Sequence, residues 1–157
     1  MKLYVPHPAK QLLEDNTLEL CTLTPNLMVE DVNETIKYYE VILGFSQRMA
    51  VDEGKNMHFT DIPEGTTAVY AQLTRGSVEI MIQRQDSLIT DIPALANHPI
   101  SASATLYITV TDIEELYGEL KAKADVVNEL DTTWYNMREF YIRDINGYIL
   151  GFAEQQR

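Results

Sequence analysis

The stretch LTPNLMVEDVNETIKYYEVILG, residues 23–44, has a second version in the chain: ATLYITVTDIEELYGELKAKAD, residues 104–125. Offset by 81 positions, Val29 falls on Val110, Asp31 on Asp112, Val32 on Ile113, Glu34 on Glu115 and Tyr39 on Leu120. Each copy reads as a strand followed by a helix. In the first, Leu23, Pro25, Leu27 and Val29 alternate with Thr24, Asn26 and Met28; in the second, Leu106, Ile108 and Val110 alternate with Thr105, Tyr107 and Thr109. Period-two alternation with one apolar side is the mark of a half-buried strand. Asp31 and Asp112 then stand where an N-cap belongs, with Glu34 and Glu115 three residues on, the spacing of a capping box. Val32, Ile36, Tyr39 and Leu43 form a helical apolar stripe, as do Ile113, Leu116, Tyr117 and Leu120. Gly44 is placed to end the first helix in a left-handed conformation.

Three strand-like runs follow each helix: Phe45–Val51, Thr67–Thr74 and Val78–Gln83, then Ala124–Asn128, Glu139–Arg143 and Tyr148–Glu154. Arg75-Gly76-Ser77 and Asp144-Ile145-Asn146-Gly147 supply turns. The plan is therefore α+β, two βαβββ modules. The expected divisions are an N-terminal extension at 1–20, a first module at 21–85, a linker at 86–103 broken by Pro93 and Pro99, and a second module at 104–157. A short helix is expected at Ala9–Asp15.

Composition narrows the partners. Of 157 residues, 12 are basic and 24 acidic, for a net charge of −12. Nucleic acids and anionic membranes demand a positive footprint that this balance does not supply. Cys21 is the single cysteine, so an intrachain disulfide framework and a Cys-rich zinc site are both excluded. The N-terminus has no long apolar run of the signal-peptide kind, and the charge-free stretch from Ile92 to Thr111 is interrupted by two prolines, so a cytoplasmic protein is expected.

Two segments, LMVEDVNETIKYYEVILGF at 27–45 and EFYIRDINGYILGFAE at 139–154, resemble the vicinal oxygen chelate superfamily of glyoxalase I, bleomycin- and fosfomycin-resistance proteins and extradiol dioxygenases. The 139–154 segment is similar to that superfamily's closing hairpin and last strand, with Ile145 where proline is usual. The resemblance implies a curved mixed sheet around a cavity, with helices on the convex face. In the superfamily's enzymes it also implies a divalent metal held by His and Glu from four strands. Carried over position by position, those ligands fall on Thr24, Glu79, Thr105 and Gly151. Hydroxyls are poor ligands for the metals that want imidazole and carboxylate, and glycine offers none. No metal and no cofactor are therefore expected. His7, His58 and His98 show no ligand spacing, although the loop carrying His58 can border the cavity.

Alternation selects the cavity side chains. Thr24, Asn26, Met28, Glu79, Met81, Gln83, Thr105, Tyr107 and Thr109 should face it, with Ile149 adding apolar surface. Tyr141 lies on the Glu139–Arg143 strand face nearer the cavity. Trp134 lies in TTWYNMREF, a loop able to cover the mouth. The reading is a metal-independent small-molecule-binding protein of the bleomycin-resistance type, holding an aromatic or cationic ligand and pairing as a homodimer. The alternatives are a divergent lyase, isomerase or dioxygenase with Glu79 as a lone general base in an apolar pocket, and a module that binds no small ligand.

Overall fold

A computed structural model describes residues 19–156. His7 and the helix expected at Ala9–Asp15 lie outside the described residues. The first module runs β1 (Asn26–Val29), α1 (Val32–Val41), β2 (Ser46–Asp52), β3 (Met57–His58), β4 (Ala68–Arg75) and β5 (Val78–Arg84). Next come α2 (Gln85–Asp91) and a 3-10 turn at Pro93–Leu95. The second module runs β6 (Thr105–Thr109), α3 (Ile113–Leu120), β7 (Asp125–Thr132), β8 (Met137–Arg143) and β9 (Ile149–Gln155). The fold is α+β: the second half keeps the expected β-α-β-β-β plan, and the first inserts an additional two-residue strand, β3, between β2 and β4. The two sheets are hydrogen-bonded separately, in the orders β1-β5-β4-β2-β3 and β6-β9-β8-β7. In each, the first strand runs parallel to the last and the rest pair antiparallel.

Three local expectations shift. The first strand begins at Asn26, not Leu23, which is fully exposed. Pro25 has no N–H to give the ladder, and pairing opens with its carbonyl accepting from Met81 N at 2.8 Å. The segment expected to be linker folds at its start into α2, which packs on β1 and β5 and buries Leu88. Finally, the two helices are capped differently. Asp31 caps α1 as expected, its carboxylate accepting from Glu34 N at 2.9 Å. Asp112 instead takes a left-handed conformation and makes no side-chain cap. The α3 N-terminus is served from β9, where the Glu154 carboxylate accepts from Asp112 N at 3.3 Å and Ile113 N at 3.0 Å.

The core is one cluster spanning both modules. Leu27, Val29, Ala71, Leu73, Ile80 and Ile82 of the first sheet meet Val32, Ile36 and Tyr39 of α1. Ile113, Leu116 and Leu120 of α3 join Phe140, Ile142, Leu150 and Phe152 of the second sheet. Gly44 has φ +66° and closes α1, with Phe45 N donating back to Tyr39 O at 3.0 Å. Among the described residues, the side-chain hydrogen bonds between modules all reach the Asp144–Tyr148 turn. Tyr39 Oη donates to Asp144 Oδ2 at 2.8 Å, Asn146 Nδ2 to Thr35 Oγ1 at 3.1 Å and Tyr148 Oη to Met28 O at 2.7 Å. The helix-bearing faces are thus joined inside, and the opposite face of each sheet carries the candidate site residues. Among the described residues no helix is long and apolar enough to cross a membrane.

Candidate functional site

The anticipated cavity residues divide between two sheets. On the first, parallel pairing of β1 with β5 sets Asn26 beside Met81 and Met28 beside Gln83, so the side chains opposite the core line up across strands. Thr24 Oγ1 donates to Glu79 Oε1 at 3.4 Å, and Asn26 Nδ2 donates to Gln83 Oε1 at 2.9 Å. Gln83 is buried, and its amide donates to Ser87 Oγ at 2.9 Å and Asp91 Oδ2 at 2.7 Å. Both of its amide N–H donors are thus spent on tying β5 to α2 and are not left for a ligand. Met28 is buried as well, while Met81 is half-buried. Glu79 is not a lone carboxylate in an apolar pocket: Arg48 Nη1 lies 3.1 Å from its Oε2. Sequence spacing did not flag Arg48, because it comes from β2, two strands away in the sheet.

On the second sheet, Thr105, Tyr107 and Thr109 are exposed along β6, and Trp134 is 94% exposed at the β7–β8 turn. No hydrogen bond among the described residues joins these side chains to the first-sheet group. Register brings Tyr107 opposite Gly151 and Gly151 opposite Tyr141. A Cβ added at Gly151 would stand 2.5 Å from Tyr141 Cε1 and 2.9 Å from its Cδ1, so the Tyr141 ring fills the space that a side chain at 151 would need. The next row places Glu139 opposite Ala153. Across this floor of two small residues the phenols reach one carboxylate. Tyr107 Oη donates to Glu139 Oε2 at 2.9 Å, Tyr135 Oη to Oε1 at 2.9 Å and Tyr141 Oη to Oε1 at 3.4 Å. Desolvation, followed by the Glu139 hydrogen bond and charge, pushes the Tyr107 phenol up to about 12. The Tyr135 phenol is raised chiefly by its bond to Glu139, and the Tyr141 phenol chiefly by desolvation. All three therefore remain protonated donors at neutral pH. Tyr135 stands beside Trp134 in the loop expected to cover the mouth; its bond to Glu139 was not anticipated, although a spacing of four across a turn was a usable signal.

The family's metal does not fit these donors. Thr24 and Thr105 offer hydroxyls, Glu79 is engaged by Arg48, and the Gly151 position is filled by an aromatic ring. Among the described residues no three His, Cys, Asp or Glu side chains gather at metal-binding distance.

His58 serves another element. Its Nε2 lies 2.9 Å from Asp52 Oδ2, and Asn56 N donates to Asp52 Oδ1 at 2.9 Å, closing the β2–β3 hairpin. Hydrogen bonds from His58 first, then Asn56, hold the Asp52 carboxyl down from 3.8 to about 2. A lowered folded-state value means stability present above the unfolded value and lost as pH falls. The hairpin's contribution should therefore be intact above about pH 4 and disappear as pH drops through 2. Chemical denaturation of wild type and Asp52→Asn between pH 5 and pH 2 checks this; parallel curves for the two proteins contradict it. Beside this hairpin lies an open cavity of about 640 Å³, lined in part by Tyr70, Gln83, Arg84 and Asp91.

With this geometry in view, the chain can be placed among known proteins. A family model, the Glyoxalase/Bleomycin resistance protein/Dioxygenase superfamily, matches residues 20–152, and the chain belongs to that superfamily. Among solved structures, a glyoxalase/bleomycin resistance protein/dioxygenase from Nocardioides is 17% identical, with TM-score 0.65 over 96% of this chain and 93% of its own. A virulence protein from Salmonella typhimurium is 23% identical, with TM-score 0.60 over 88% of this chain and 100% of its own. A glyoxalase-related enzyme from Clostridium phytofermentans is 18% identical, with TM-score 0.62 over 90% of this chain and 100% of its own. At these identities the likeness is one of fold. No curated protein matches the chain.

Proposed function

We propose that this protein is a metal-independent binder of a small aromatic or cationic molecule, which it holds on the open faces of its sheets. One observation carries the reading: the Tyr141 ring lies over Gly151, where the superfamily's enzymes are expected to place a metal ligand. A sheet face floored with tyrosines and centred on a carboxylate recognises a ligand through ring faces and charge and needs no reacting atom. The exposed face of the second sheet further supports pairing with a second copy, which would bring a first-sheet face against a second-sheet face and enclose the ligand.

The test combines metal analysis of the purified protein with a calorimetric screen of aromatic amines and cationic glycopeptides. Expected are no stoichiometric divalent metal and at least one ligand that binds. Stoichiometric metal that is lost on Glu79→Ala would overturn the reading in favour of a metal enzyme, and silence across the panel would overturn it in favour of a module without a small ligand.

A further inference from the structure

Glu139 differs from the chain's ion-paired carboxylates among the described residues. Arg84 lies 2.6 Å from Glu53 and 2.7 Å from Asp86, Arg138 pairs with Glu114 at 2.7 Å, Arg143 with Asp125 at 3.2 Å and Arg48 with Glu79 at 3.1 Å. Among the described residues no Lys, Arg or His nitrogen stands within ion-pair distance of Glu139, and both arginines of its own strand, β8, are committed elsewhere. It is half-buried and accepts three phenol O–H donors, two on Oε1 and one on Oε2. A carboxylate has about four lone-pair sites, which leaves Oε2 with room for one more donor. Hydrogen-bonded phenols orient the carboxylate without neutralising it, since each keeps its proton. Around it, Tyr107 and Tyr135 are each about half exposed, and Trp134 stands edge-on to Tyr135 with ring centroids 5.3 Å apart. Gly151 and Ala153 lie buried beneath, with the Tyr141 ring over Gly151, so the face a guest meets is formed by Tyr107, Tyr135 and Glu139.

We propose that Tyr107, Tyr135, Tyr141 and Glu139 form a cage for the protonated amine of a small molecule. This rests on the binding reading above and names the ligand's recognised group. The ammonium donates to the free lone pair of Glu139 Oε2 as a charge-assisted hydrogen bond, and its hydrocarbon side lies against the tyrosine rings. The chain's net charge of −12 favours such a guest at a distance, and Glu139 fixes it at contact.

Trp134 is the only tryptophan in the sequence and abuts the cage, so its emission reports occupancy directly. The full chain is titrated with benzylammonium chloride and, in parallel, with benzyl alcohol, a neutral molecule of similar shape, at constant ionic strength. Benzylammonium should shift the Trp134 emission saturably, and benzyl alcohol should bind at least about tenfold more weakly. Glu139→Gln, which keeps an acceptor and removes the charge, should weaken benzylammonium by about tenfold or more. Tyr135→Phe, which keeps the ring and removes one orienting donor, should cost a smaller factor. Thermal unfolding of both variants verifies that they fold. Equal affinity of wild type and folded Glu139→Gln overturns the cage. If that equality comes with binding sensitive to Arg48→Ala or Glu79→Gln, the cage falls and the broader reading stands. Silence to benzylammonium in both emission and calorimetry overturns the cage by itself, whereas the broader reading falls only when the full ligand panel is silent too.

Discussion

Tyr39→Ala should lower the free energy of unfolding by about 3–5 kcal/mol, the range for removing a large buried aromatic. Tyr39 is fully buried, packs edge-on against Phe45 at 5.4 Å and belongs to the core that joins the two modules. Its hydroxyl also donates to Asp144 Oδ2, in the turn that receives the inter-module side-chain bonds of Tyr39, Asn146 and Tyr148. Asp144 is buried, and desolvation raises its carboxyl from its ordinary value against the pull of Tyr39 and the backbone donors of Asn146 and Tyr148. Tyr39→Phe isolates this second effect. It keeps the ring and leaves a buried carboxylate oxygen short of a donor, at a cost of about 1–3 kcal/mol. The sign with pH follows. Losing a donor to the ionised form raises the Asp144 value further, so the Phe variant's deficit is largest at neutral pH and shrinks as the carboxyl protonates in acid. Urea unfolding of both variants at two pH values checks the pair. A deficit for Tyr39→Phe that grows in acid would contradict the assignment.

Gly151→Ala should destabilise the protein by about 1–3 kcal/mol, the usual cost of overpacking. The added Cβ would stand 2.5 Å from Tyr141 Cε1, so the ring has to leave its place over β9 and its hydroxyl has to leave Glu139. The same substitution in a Tyr141→Ala background meets no ring and should cost far less. A double-mutant cycle is therefore expected to show coupling above about 1 kcal/mol, as for residues in direct contact. Equal costs in the two backgrounds would show that the ring does not occupy the 151 position. The result bears on function, because a carboxylate at 151 meets the same obstruction: Gly151→Glu alone should not create a metal site, and its failure to bind zinc is measurable by calorimetry.

The repeat starting at residues 23 and 104 was legible because strand alternation and helical stripes are local properties of side-chain order. Val32, Ile36, Tyr39 and Leu43 are buried together as their spacing required, and Gly44 ends α1 with positive φ. The two caps mark where this reading stops. Asp31 and Asp112 occupy equivalent positions, yet only Asp31 caps its helix, because Glu154 arrives from β9 to take the other's role. No local pattern announces a partner 42 residues away.

For the site, alternation placed Glu79, Tyr107 and Tyr141 on the faces opposite the core, and the departures at Thr24, Thr105 and Gly151 argued against the family's metal from side-chain chemistry alone. Charge pairing was beyond it. Glu79 gains Arg48 and Glu139 gains three phenols through cross-strand register, which depends on which strands become neighbours in a sheet. The division of the candidate residues between two separately bonded sheets likewise depends on how the modules pack. By itself, then, the order of residues determined the modules, their faces and the poverty of metal ligands, since each is a matter of periodicity and side-chain chemistry. Only the tertiary structure decided which carboxylate is paired and which faces outward among tyrosines, because ion pairs and hydrogen bonds are settled by distance, and strands far apart in sequence set those distances.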